Sequence, residues 1–66
     1  MVIKTEQLQS TAILSATYDD ETEDLDVTFV NGGTYTHHGV PVEIFDGLVA
    51  SSSPGRYWHA NLKDQY

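Results

Sequence analysis

The chain has 66 residues and weighs 7.3 kDa, which fits one domain, and a domain of this size buries only about 60% of the surface its unfolded form exposes. Ten Asp and Glu against three Lys and Arg leave a formal net charge of −7, so the surface repels phosphate backbones and general nucleic-acid binding starts at a disadvantage. There is no cysteine for a disulfide or a thiolate zinc site, no apolar run long enough for a membrane span, and no basic-then-apolar start for a secretory signal, so a cytoplasmic protein without membrane attachment is expected.

Residues 1–9 show no clear period and read as an N-terminal arm or a frayed first strand. Residues 10–18 contain Thr11, Ile13, Thr17 and Tyr18, types that suit a pleated strand. The alternation places Ala12, Leu14, Ala16 and Tyr18 toward the core. Residues 19–24 hold five acids in six positions, a turn signal in which Asp19 and Asp20 fit the geometry. The cleanest period of two follows, with Leu25, Val27 and Phe29 inward. Asn31-Gly32 predicts a tight type I′ hairpin. After it Tyr35 and His37 share one strand face, and Thr34, Thr36 and His38 the other. Residues 10–38 therefore read as a three-stranded antiparallel meander.

Gly39-Val40-Pro41 ends the strand, and Pro41 suits the first position of a helix. Val42, Phe45, Leu48 and Val49 then form one helical stripe. Gly47 within it costs about 1 kcal/mol relative to Ala, a cost explained if the helix packs closely on the sheet there. A second helix restarts after Ser51-Ser52-Ser53, with Ser53 as its N-cap and Pro54 as its first residue. Trp58, Leu62 and Tyr66 fall on one face, and Arg56, His59 and Lys63 on another. The expected fold is α+β, βββαα: a three-stranded meander packed against two short C-terminal helices, with residues 1–9 as arm and 10–66 as domain.

The order and spacing of these pieces resemble the KTSC domain family, whose name derives from its occurrence at the C-terminus of some lysyl-tRNA synthetases and which includes stand-alone bacterial and phage proteins. Ser10, Ile13, Tyr18 and Asp19 match the start of the pattern. Leu25, Val27, Phe29, Gly32, Tyr35, Val40 and Pro41 match its middle, with His37 in place of the second residue of a Tyr-x-Tyr pair. Ser53, Gly55, Tyr57, Trp58, Leu62, Lys63 and Tyr66 match its end, with His59 in place of an Asn. The resemblance implies an accessory module without assigned catalysis, and the synthetase connection hints at RNA.

Several groups of residues are candidates for function. The run from Asp19 to Asp26 has six carboxylates in eight residues. It departs from the EF-hand pattern and reads first as a solvated hairpin tip. As a contact, Asp19, Asp20, Glu21, Glu23 and Asp24 would draw in a basic partner protein or mimic the charge of a nucleic acid. His37, His38 and His59 are metal-ligand types, but neighbouring strand residues point to opposite faces, and a structural role is the simpler reading. The resemblance gives His37 an aromatic core position.

The start of the second helix offers free N–H groups to an anion. Ser53, Gly55, Arg56, Tyr57, His59 and Lys63 form a candidate phosphate or carboxylate site, although capping and packing alone also explain a Ser-Pro helix start. Trp58, the only tryptophan, reads as a core anchor, beside a more exposed Tyr57. No catalytic motif is present, and no enzyme, cofactor or metal is expected. The expected function is a small non-catalytic interaction module binding a protein partner, in the form of a phage or prophage accessory protein. RNA or nucleotide binding through the Ser-Pro-Gly-Arg helix start is the alternative. An exposed sheet edge also offers a route to a homodimer.

Overall fold

A computed structural model describes residues 3–66. The elements run β1 (Ile3–Gln7), β2 (Ile13–Asp19), β3 (Asp24–Phe29), β4 (Thr34–His37), α1 (Val42–Ala50) and α2 (Pro54–Asn61). The four strands form one antiparallel sheet in chain order, so the expected three-stranded meander gains a strand. Residues 1 and 2 of the expected arm lie outside the described residues, but Ile3–Gln7 pair with Asp19–Ser15 of β2. All five β1 side chains are exposed. Backbone pairing rather than apolar burial holds this edge strand, which is why it carries no hydrophobic period.

The core is built from the inward residues of β2 and β3 together with Val40, Phe45, Leu48, Trp58 and Leu62. Leu25 and Val27 are fully buried, as their alternation predicts. In β2 the phase differs from the expected set. Ile13 pairs with Phe29 and Ser15 with Thr28, so Leu14 is an extra residue in a bulge. The bulge turns Ile13 inward with Ala16 and Tyr18, and leaves Leu14 50% exposed. On the outer face the register aligns Thr5, Thr17, Asp26 and Thr36, and Thr36 Oγ1 donates to Asp26 Oδ1 at 2.7 Å.

The two hairpins close differently. In the acidic β2–β3 loop, Asp19 Oδ1 accepts the Glu21 N–H, and Glu23 adopts a left-handed backbone with φ of 61°. The β3–β4 loop is not the expected type I′ turn. Phe29 and Gly33 are bonded across it, and Gly32 at φ of 101° is its one left-handed residue. That is a three-residue loop closed by a left-handed glycine. The Val30 N–H is held by the Ala12 carbonyl, so Val30 does not pair across the hairpin as a two-residue turn requires.

Val40 stitches the layers together. Its N–H donates to the Glu23 carbonyl at 2.9 Å. Its carbonyl accepts the buried Tyr18 hydroxyl at 2.6 Å. Burial, and then the carboxylates of Glu23, Asp20, Glu43 and Asp19, hold that hydroxyl above the usual tyrosine value. Tyr18 also stacks on Phe45 of α1, with ring centroids 5.2 Å apart.

Both helices differ in detail from the sequence expectation. Pro41 occupies the N-cap of α1 rather than its first turn. Ser53 holds the N-cap position of α2, but its side chain makes no capping bond; the Ser53 N–H instead donates to Ser51 Oγ at 3.0 Å. The last helix stops at Asn61, because Asp64 turns left-handed at φ of 63°. Lys63 and Tyr66 therefore lie beyond it. Gly47 is tightly packed, against α2 rather than the sheet: a Cβ there would meet the Tyr57 hydroxyl and lie 2.6 Å from its Cζ. Gly47→Ala is thus expected to forgo the roughly 1 kcal/mol gain in helix propensity and to destabilise the domain by about 1–3 kcal/mol through overpacking. Urea unfolding followed by Trp58 fluorescence checks this; a stabilised variant would refute the contact.

Candidate functional site

The two helices have nine and eight residues, so each covers only about 12–14 Å of the sheet. Beside α2 a surface cleft of about 760 Å³ runs from the β3–β4 hairpin to His37. Phe29 comes from the end of β3, and Tyr35 and His37 from β4. Trp58 comes from α2, and Lys63, Asp64 and Tyr66 from the segment after it. The register Val27↔Tyr35 and Leu25↔His37 puts Tyr35 and His37 on the inner face. His37 is buried, whereas Tyr35, nearer the hairpin, meets Trp58 only edge-on and is 54% exposed.

Trp58, only 7% exposed, is the floor. Its ring centroid lies 4.9 Å from Phe29 and 5.6 Å from Tyr35, both edge-on. His59 approaches it at 5.2 Å and His37 at 6.0 Å. The buried indole Nε1–H donates to His37 Nε2 at 3.0 Å. An indole N–H can only donate, so Nε2 carries no proton and the imidazole proton sits on Nδ1. That Nδ1–H points to the Tyr66 main-chain oxygen, 3.3 Å away. The left-handed turn at Asp64 is what brings Tyr66 back to β4 as the cleft wall, 44% exposed.

The residues of the candidate anion site are dispersed around α2. Gly55 packs on the segment just before β2, where a Cβ would lie 3.1 Å from that of Ala12. Tyr57 lies between the helices, its hydroxyl held above the usual tyrosine value by burial and then by Tyr66. Arg56 and His59 are exposed, and His59 lies against the Trp58 ring. Ser53 is half-buried at the helix start. Of the six, only Lys63 lines the cleft. The three histidines also diverge: His37 faces Trp58, His38 faces Asp24 on the outer side, and His59 is on α2. Among the described residues no three His, Asp or Glu side chains come together as a metal site.

Asp19, Asp20, Glu21, Glu23 and Asp24 remain at the β2–β3 end of the sheet. The cleft runs along the inner face from the β3–β4 hairpin, at the other end of β3, back to His37, which pairs with Leu25 next to Asp24. None of the five acidic residues lines it. The sequence reading turned Phe29 inward, set Tyr35 beside His37 and placed Tyr66 on the Trp58 face, but did not join them as one site. The available signal was a set of inward aromatics at the hairpin end of the meander.

These features define a small α+β domain: a four-stranded antiparallel sheet, two helices on one face, and an aromatic cleft beside α2. The sequence pattern of the KTSC domain matches residues 9–66. The chain belongs to the KTSC domain family. A protein of Tsukamurella paurometabola is 37% identical over 59 residues, 89% of this chain and 88% of that protein. An uncharacterized protein of Stutzerimonas stutzeri is 36% identical over 59 residues, 89% of this chain and 83% of that protein. The crystal structure of a KTSC domain protein from Yersinia pestis is similar at a TM-score of 0.89 and 28% identity, covering 97% of this chain and 90% of that one. Among the described residues no helix is long and apolar enough to cross a membrane.

One electrostatic contact outside the cleft is open to direct titration. His38 Nδ1 lies 2.7 Å from Asp24 Oδ1. That hydrogen bond, outweighing some desolvation and helped by one from Thr22, holds Asp24 below the ordinary aspartate value. A lowered folded-state value means that the contribution of Asp24 to stability is present above the ordinary carboxylate range and is lost as pH falls through the lowered value. His38→Ala should raise the Asp24 titration midpoint toward that of an ordinary aspartate, as read by carbon-detected NMR. An unmoved midpoint would show that His38 is not the cause.

Proposed function

We propose that this chain is a small non-catalytic interaction module that binds a protein partner through the aromatic cleft. The observation that carries the reading is the pair Tyr35 and Tyr66, each about half exposed on a rigid ring floor. Large aromatic side chains lose little conformational freedom on contact and dominate many binding hot spots. The floor is fixed in advance, because Trp58 is hydrogen-bonded and packed edge-on against its neighbours. Both nitrogens of His37 are occupied, one by the Trp58 indole and the other by the Tyr66 main-chain oxygen, which fits a recognition surface better than proton transfer.

The acidic tip is a second contact or a steering charge for the same partner. The His37 end of the cleft lies one strand over from Leu25, next to Asp24, so the field of the tip reaches a ligand there and weakens as salt is added. A tagged chain used to capture partners from lysate of the source cell, with nuclease present, separates the possibilities. Capture should fall at least tenfold with the pair Tyr35→Ser and Tyr66→Ser. It should fall only a few-fold, and mainly at low salt, with the neutralised tip Asp20→Asn, Glu21→Gln and Glu23→Gln. Capture indifferent to the tyrosine changes would sink the cleft as the contact. Capture of RNA that disappears with nuclease would replace the protein reading by the nucleic-acid one.

A further inference from the structure

We infer that the cleft takes a cationic side chain, an arginine or lysine on an exposed segment of the partner. The inference rests on the cleft being the contact, and it names the chemistry received there. Two features point the same way. The first is the ring arrangement. Phe29 and Tyr35 each stand edge-on to Trp58, at 80° and 63°. Tyr35 and Tyr66 keep about half of their surface free at the walls. Exposed ring faces carry the negative part of the aromatic quadrupole, and a guanidinium or ammonium group is attracted to them. Guanidinium, being planar and weakly hydrated, stacks there best.

The second feature is charge. The Asp64 carboxylate lies in the cleft lining beside Tyr66, with Lys63 as the opposing cation. The two cancel locally and leave the field of a chain carrying −7 overall, which favours the approach of a cation and disfavours that of an anion. Lys63 then acts against the ligand, so its removal should help. An anionic ligand would require the reverse.

The test uses the full chain, ¹⁵N-labelled, with three probes at up to millimolar concentration. They are a blocked Gly-Ser-Arg-Ser-Gly peptide, the same peptide with citrulline for arginine, and adenosine monophosphate. Citrulline keeps the planar shape and removes the charge. The arginine peptide should shift the Trp58 indole resonance and the amides of residues 29–37 and 58–66. The citrulline peptide should bind about 2- to 5-fold more weakly, the ratio expected of a partly exposed cation–π contact. Lys63→Ala should tighten arginine binding, and Tyr35→Leu should weaken it. The comparison of the two peptides on the unmodified chain does not depend on any variant folding. Equal binding of the two peptides, shifts with the nucleotide alone, or no shift with any probe would overturn the inference. If capture from lysate depends on Tyr35 and Tyr66 while the two peptides bind equally, only the charge preference falls. If capture ignores the two tyrosines, the cleft reading itself falls.

Discussion

A single buried donor, the indole N–H of Trp58, organises the functional end of this domain. A buried N–H that finds no acceptor costs about 1–3 kcal/mol, a large share of the stability available to a chain of 66 residues. His37 Nε2 meets it at 3.0 Å. Because the indole cannot accept, this bond fixes the tautomer of His37, and the tautomer leaves Nδ1–H to hold the Tyr66 main-chain oxygen. Three separate pieces of chain are thereby tied at one point: α2, β4 and the segment that follows α2. An imidazole offers two separate nitrogens, and in this chain both are used.

The cleft follows from that point and from the reach of the helical layer. Trp58 is held flat as a floor, Phe29 and Tyr35 stand edge-on around it, and Tyr66 is brought back as a wall. Part of the inner sheet face stays open there: His37 is buried, while Tyr35, two residues away on the same face of β4, is 54% exposed. Recognition surface and core are here the same row of residues, divided by how far the helical layer reaches. The acidic loop lies at the end of the sheet opposite the β3–β4 hairpin and is tied to the scaffold through the Glu23 carbonyl and Val40 N–H. The cleft runs from the aromatic hairpin end toward it, as far as His37 beside Leu25.

Much of this was legible in the sequence where burial imposes a period. Leu25, Val27, Phe45 and Leu48 sit in the core as their spacing requires, and the family resemblance rests on residues in the same order. What escaped the sequence escaped for identifiable reasons. β1 buries none of its side chains, so no period marks it. The Leu14 bulge shifts the phase of β2 in mid-strand, which a strict alternation cannot express. Asp64 ends the helical path through a left-handed residue that is neither glycine nor asparagine, so no sequence signal announced it. The cleft needed all of these to be seen together: inward residues were identified one strand at a time, and exposure at Tyr35 depends on where a helix distant in sequence lies.

The most direct test of this account is the state of the His37 ring, read by ¹⁵N NMR through its two nitrogens and the Trp58 indole. The account predicts a neutral imidazole with its proton on Nδ1, and a hydrogen-bond coupling between Trp58 Nε1 and His37 Nε2. A proton on Nε2, or an indole N–H that exchanges freely with water, would contradict it, and with it the claim that one buried donor sets the shape of the cleft.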